Sequence, residues 1–161
     1  MVNKIKLFLT DLDGVLTDGG MYYLENGKEL RKFNTKDGMG FQLLREYGIK
    51  TGIISSEVSS ITEYRSKKLK IDFLSMGNSG NGKLEYAKKI ADEMEIDFNQ
   101  IAYIGDAINC IELLEEVNIS ACPADANHKV QNIRNIKILK SKGGDGAVRE
   151  FIDFLEINNF L

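Results

Sequence analysis

Apolar residues fall along this chain in two alternating rhythms. Short runs rich in Ile, Val and Phe are followed by longer segments whose apolar positions recur every three or four residues. A short, nearly continuous run bounded by polar residues suits a buried strand, whereas the three-to-four spacing suits a helix with one apolar stripe. The runs predict strands near 4–10, 50–55, 71–75, 100–105, 118–121 and 136–139, and the periodic segments predict helices over 38–47, 58–69, 83–95, 108–117, 126–132 and 145–156. In 83–95, for example, Leu84, Ala87, Ile90, Ala91 and Met94 share one face and leave Lys and Glu for solvent. This alternation predicts βαβ units around a mainly parallel sheet flanked by helices, a Rossmann-like α/β fold.

Segment 14–37 breaks the rhythm. The first strand is followed not by a helix but by GGMYYLENGKELRKFNT, two β-prone pieces around Glu25-Asn26-Gly27. Asn-Gly between such flanks is a strong hairpin signal, so a β-hairpin over about 18–34 is expected to project from the end of strand one. The Gly/Asn-rich stretch Gly77–Gly82 is too short for an interdomain linker and reads as a loop leading into Lys83. A Gly-rich segment and a helix make up the tail, about 142–161.

At 161 residues and 43% hydrophobic, the chain reads as one domain, 1–161, with material for its own core. The 21 Lys and Arg are scattered among 24 acids with a net charge of −3, which argues against nucleic acid as a partner. The sequence shows no basic segment followed by an apolar stretch and a small-residue cleavage site, and no apolar run near the ~18 residues that span a bilayer. A soluble, cytoplasmic protein without a membrane partner is expected. The two cysteines, Cys110 and Cys122, lack CxxC spacing and read as free thiols of a reducing compartment. The single histidine, His128, reads as a surface residue without a role.

The candidate chemistry lies where strands end. Strand one runs straight into Asp11 and Asp13, two carboxylates that repel each other unless a cation sits between them. Ser55 ends the second long run, and Asp106 follows Gly105 at the end of the run Ile101–Ile104. Ligands of an open α/β sheet bind at the carboxyl ends of its strands, so these residues are expected to meet on one rim. A hard divalent cation, Mg²⁺, takes oxygen ligands of this kind and removes the repulsion. Asp11 is then free to attack phosphorus while Asp13 shuttles a proton, with Ser55 and Lys83 on the phosphoryl group. A lysine at a helix start opposes the macrodipole, and that local conflict points to function at Lys83. Blander readings stand beside these. Asp106 or Asn109 suits a helix cap, Asp18 suits the turn into the hairpin, and Gly143–Gly146 suits a turn before the last helix. Asp37-Gly38 reads as an N-cap that additionally points toward the substrate side of the rim.

The stretches DLDGVLTDG, IISS, Gly82-Lys83 and YIGDAIN resemble the four motifs of the haloacid dehalogenase superfamily of phosphatases. DxDGVxTDG with a following hairpin, FNTKDGMG and GGDGAVREF together resemble its small, capless branch acting on 3-deoxy-2-ulosonate sugar phosphates, octulosonate 8-phosphates and nonulosonate 9-phosphates. The resemblance spans nearly the whole chain. It implies Asp11 as nucleophile, Asp13 as acid/base that offers its backbone carbonyl to Mg²⁺, Asp106 as the remaining carboxylate ligand, and Ser55 and Lys83 as phosphate-binding residues. It also implies a homotetramer in which the hairpin shields the neighbouring active site and the Gly-rich tail reaches into it.

The chain departs from the branch in its fourth motif. Where GDDxND is usual, it has Gly105-Asp106-Ala107-Ile108-Asn109-Cys110. Asn109 and Cys110 then stand around the metal and Lys83, and Cys110 replaces a carboxylate, a loss that typically costs ~10–100-fold in metal affinity or activity. Glu57 stands where octulosonate enzymes tend to carry Arg, which tilts the expected substrate toward nine carbons, with Arg65 or Lys68 meeting the sugar carboxylate across a subunit boundary. Glu57 also suits the first turn of its helix. A rival comes from PADA at 123–126 and ISSE at 54–57, which resemble domains fused to acylneuraminate cytidylyltransferases that serve chiefly as tetramerisation scaffolds. The retained Asp11, Asp13, Ser55, Lys83 and Asp106 argue against it.

Overall fold

The computed structural model describes residues 4–161. Its strands are β1 (Leu7–Thr10), β2 (Tyr22–Tyr23), β3 (Glu29–Leu30), β4 (Lys50–Ile54), β5 (Phe73–Ser75), β6 (Ile101–Ile104), β7 (Ile119–Cys122) and β8 (Lys137–Ile138). The helices are α1 (Thr35–Glu46), α2 (Ser60–Leu69), α3 (Gly82–Met94), α4 (Ile111–Glu116), α5 (His128–Gln131) and α6 (Ala147–Ile157). Six strands form one sheet in the order β5-β4-β1-β6-β7-β8, and every pairing in it is parallel. All six predicted strands are present, and the sheet is the Rossmann-like one expected.

Alternate residues of β1 supply two cores. Phe8 faces α1 and α6, edge-on to Phe41 (6.1 Å, 86°) and 5.7 Å from Phe151. Leu7 and Leu9 face the other layer, with Ala87 and Ile90 of α3 and Leu113 and Leu114 of α4. Each layer therefore removes one apolar stripe per helix from water. Gly40 lets α6 approach α1, since a Cβ there would lie 2.7 Å from Ile152 Cδ1. No helix of the described residues is long and apolar enough to cross a membrane.

The sheet order matters for function. The chain moves from β1 outward through β4 and β5, then returns to the other side of β1 with β6, β7 and β8. Thr10 of β1 is in register with Ile53 of β4 and with Ile104 of β6, so Asp11, Ser55 and Asp106 emerge together at the carboxyl edge. The reversal between β1 and β6 is the crevice where ligands of such sheets bind.

The hairpin forms as predicted, pairing Tyr22 with Leu30 and Tyr23 with Glu29. Only Gly27 in its turn is left-handed (φ 76°), and the Leu24 amide donates to the Lys28 carbonyl at 2.8 Å. Two expectations need correction. The cap of α1 is Asn34, whose side chain accepts from the Lys36 amide, because the helix starts three residues before Gly38. Residues 108–117 are not one helix: a 3₁₀ turn, Ile108–Cys110, precedes α4. The Gly-rich segment packs within its own chain, under the loop that follows β1. A Cβ on Gly143 would lie 2.0 Å from the Gly14 carbonyl oxygen, and the Gly144 amide donates to Val15 at 3.0 Å. The last residues are tied to the opposite end of the sheet, where the Ile5 amide donates to Phe160 at 2.9 Å.

Candidate active site

Asp11 follows the last residue of β1 and is 5% exposed. Its Oδ1 accepts from the Leu12 amide at 2.7 Å, and its Oδ2 accepts from Lys83 Nζ at 2.5 Å and from the Cys110 thiol at 3.1 Å. Lys83, in the first turn of α3, is wholly buried and lies 3.4 Å from Cys110 Sγ. Burial works against its ammonium, but the charge of Asp11 and the neighbouring Cys110 outweigh it, and the net shift is upward. The lysine thus stays charged beside Asp11, which resolves the conflict with the helix dipole.

Asp106 comes from the loop after β6. Its Oδ1 is buried without a hydrogen-bond partner, and burial, reinforced by the charge of Asp11, pushes its carboxyl up to about 7. Its Oδ2 lies against Gly14, where any Cβ would come within 2.1 Å. An orphaned carboxylate oxygen at the switch point fits the role of a cation ligand. Asp11, Asp106 and Cys110 present ligand atoms all within 4.8 Å of one another. The two carboxylates are hard donors that suit Mg²⁺, while burial pushes the Cys110 thiol up to about 12 and leaves it a neutral donor to Asp11. The Tyr103 hydroxyl lies wholly buried beside this thiol.

Ser55, also buried, is fixed at the end of β4 by its amide to Ser75 (2.8 Å) and by Asn78, which donates to its carbonyl at 3.0 Å. Asn109 donates to Ser56 Oγ at 2.7 Å and so links the loops after β6 and β4. Asp13 is partly exposed, and burial raises its carboxyl while Arg31 pulls it partway back. Asp11, Asp13, Ser55, Lys83, Asp106, Asn109 and Cys110 therefore all stand on the carboxyl rim.

The remaining expectations fare differently. Asp37 is wholly buried, and its Oδ1 accepts from the Arg149 amide at 2.9 Å, so it joins α1 to the start of α6 and does not face the rim. Burial, the largest influence on it, pushes its carboxyl up to about 6. Arg65 lies over the Phe33 ring at 5.0 Å and donates to the Asn34 carbonyl. Arg65 and Lys68 line a separate cavity of about 320 Å³ with Leu30, Phe33 and Tyr64. Glu57 is at the mouth but already paired, 2.5 Å from Arg31 Nη2. Asp18 serves the hairpin, accepting from Tyr22 at 2.5 Å and from the Gly20 amide at 3.0 Å. Arg31 itself escaped the reading of the sequence. Its one signal is the strand period, since Glu29 and Arg31 are two apart and share a face that folds back over the rim.

The chain is similar to known proteins. The haloacid dehalogenase-like hydrolase family matches residues 49–152. The 3-deoxy-D-manno-octulosonate 8-phosphate phosphatase of Escherichia coli K12 is 35% identical over 152 residues, 94% of this chain and 79% of that protein. A probable YrbI-family phosphatase from Pseudomonas syringae superposes with a TM-score of 0.91 at 36% identity, over 99% of this chain and 89% of that one. The 3-deoxy-D-manno-octulosonate 8-phosphate phosphatase of Moraxella catarrhalis, solved with a magnesium ion, a phosphate ion and the sugar acid, superposes at 0.89 with 32% identity, over 97% and 89% of the chains. With its strand-end aspartates, buried lysine and near full-length likeness to these proteins, the chain belongs to the haloacid dehalogenase-like hydrolases, in the branch that holds the octulosonate 8-phosphate phosphatases.

Proposed function

We propose that this chain is a Mg²⁺-dependent phosphatase that hydrolyses a phosphorylated 3-deoxy-2-keto sugar acid through an aspartyl-phosphate at Asp11. One observation carries the reading: the buried Asp11–Lys83 pair stands beside the orphaned oxygen of Asp106 at the switch point of the sheet. Burying two charges costs several kcal/mol each before their attraction is counted, an arrangement that a mere scaffold has no need to keep. Asp11, Asp106 and the backbone carbonyl of Asp13 would hold the cation, which when bound supplies charge neutralisation for the phosphoryl oxygens.

The chain's own residues then divide the work. An Asp11 oxygen attacks phosphorus as the bond to the sugar oxygen breaks, and Asp13 gives that oxygen a proton. Asp13 afterwards takes a proton from the water that attacks the aspartyl-phosphate. Lys83 neutralises charge throughout, and Ser55 donates to a phosphoryl oxygen.

The names of the relatives support an octulosonate 8-phosphate as substrate, and Glu57 supports a nonulosonate 9-phosphate. A phosphate-release screen over both esters, with Mg²⁺ and with chelator, tests activity and substrate together. Turnover that persists in chelator would reject the metal dependence, and no release from either ester would reject the activity. A homotetramer belongs to the same proposal. Met21, Tyr22, Tyr23, Leu24 and Leu30 make the hairpin apolar and exposed, a surface expected to be covered by another copy. Light scattering that returns the monomer mass would reject this assembly.

A further inference from the structure

The hairpin carries one side chain that the steps above do not use. Arg31, directly after β3, is only 3% exposed although it lines the small cleft, about 90 Å³, that also contains Asp13 and Glu57. Nη1 reaches Asp13 at 2.9 and 3.2 Å, Nη2 reaches Glu57 at 2.5 Å, and Nε and Nη2 grip Glu29 at 3.2 and 3.4 Å. A guanidinium presents its N–H donors in a rigid fork, and these contacts engage all three of its nitrogens. Arg31 is therefore held by carboxylates through every nitrogen. Its three carboxylates come from three places: Glu29 from its own strand, Asp13 from the loop after β1, and Glu57 from the loop after β4. One cation among three carboxylates leaves lone pairs over, and those of Asp13 and Glu57 border the cleft.

We propose that Arg31 is a positioning residue for departure of the sugar alcohol. It fixes Asp13 where the leaving oxygen takes its proton, and it fixes Glu57 beside it to accept from sugar hydroxyls. The inference rests on the phosphatase reading and adds to it a part for the hairpin. Both oxygens of Asp13 lie within reach of Nη1, so the grip survives on one when the other carries the proton. In the step concerned, the Asp11–phosphorus bond forms, the phosphorus–oxygen bond to the sugar breaks, and the Asp13 proton passes to the sugar oxygen.

The test exploits the leaving group. An alkoxide leaves slowly without a proton, whereas p-nitrophenolate leaves unaided, so loss of a positioned acid slows formation of the aspartyl-phosphate from the first ester alone, while the later water step is common to both. Arg31→Ala is expected to lower the single-turnover rate of sugar release from 3-deoxy-D-manno-octulosonate 8-phosphate roughly 10- to 100-fold, no more than the ~10²–10⁴ that general acid catalysis supplies. Its KM for that ester should rise as Glu57 is freed, while single-turnover release of p-nitrophenol, which precedes the water step, stays within about threefold and added guanidinium restores part of the sugar-release rate. Arg31→Lys keeps the charge without the fork and should fall between; if the alanine variant fails to fold, the same ratio in the lysine variant decides. Parallel loss of single-turnover release from both esters in a folded variant that still gains thermal stability from Mg²⁺ would overturn the role of Arg31 alone. A wild type that releases no phosphate from either ester would instead reject the phosphatase reading, and this role with it.

Discussion

Lys83 Nζ lies 2.5 Å from Asp11 Oδ2, and neither side chain is more than 7% exposed. An ammonium and a carboxylate so far from water are coupled strongly, and either one left alone is costly. Asp11→Asn keeps an acceptor for the lysine but loses the nucleophile. It is expected to retain the circular dichroism of the wild type and to lose turnover altogether. Hydrolysis at the wild-type rate would remove Asp11 from the reaction.

Asp106 presents the opposite case, a carboxylate without a partner next to another carboxylate. In Asp106→Asn the like-charge repulsion is gone, so the metal-free protein should melt at the same temperature or higher. The stabilisation that Mg²⁺ confers on the wild type by binding the folded state should be lost. Calorimetry with and without Mg²⁺ reads both quantities, and an undiminished Mg²⁺ response would rule Asp106 out as a ligand.

Cys110 occupies a place prepared for charge. A carboxylate there would find Lys83 Nζ where the thiol now has it at 3.4 Å, and the buried Tyr103 hydroxyl beside it. Cys110→Asp is therefore expected to bind Mg²⁺ more tightly, by about the 10–100-fold that such supporting groups are worth. An unchanged Mg²⁺ titration would show that the thiol serves as well.

Asp37 makes stability depend on pH. Its carboxyl is pushed up from 3.8 to about 6 in the fold, burial being the main cause. The folded state therefore holds this proton more firmly than the unfolded chain does. The contribution is full below pH 4, declines as pH rises through 4 to 6, and is absent above, a span worth at most about 3 kcal/mol. In Asp37→Asn the Arg149 amide keeps its acceptor and the titration is gone, so the difference between variant and wild type should grow over that window. Parallel stability curves from pH 4 to 7 would refute the assignment.

Local pattern alone was enough for much of this molecule. The six sheet strands, the hairpin around Gly27 and the amphipathic face of α3 follow from periodicity and turn chemistry, which act between near neighbours in sequence. The rim positions of Asp11, Ser55 and Asp106 were legible for the same reason, because each stands at the end of an apolar run. Pairing was not legible. Cys110 reaches Asp11 across 99 residues, Asp37 caps Arg149 across 112, and Arg31 holds Asp13 across 18. Those partners depend on the order of strands in the sheet and on where the hairpin folds back. Tertiary packing alone decides both, since a buried polar group takes whichever partner the fold brings within 3 Å or so of it.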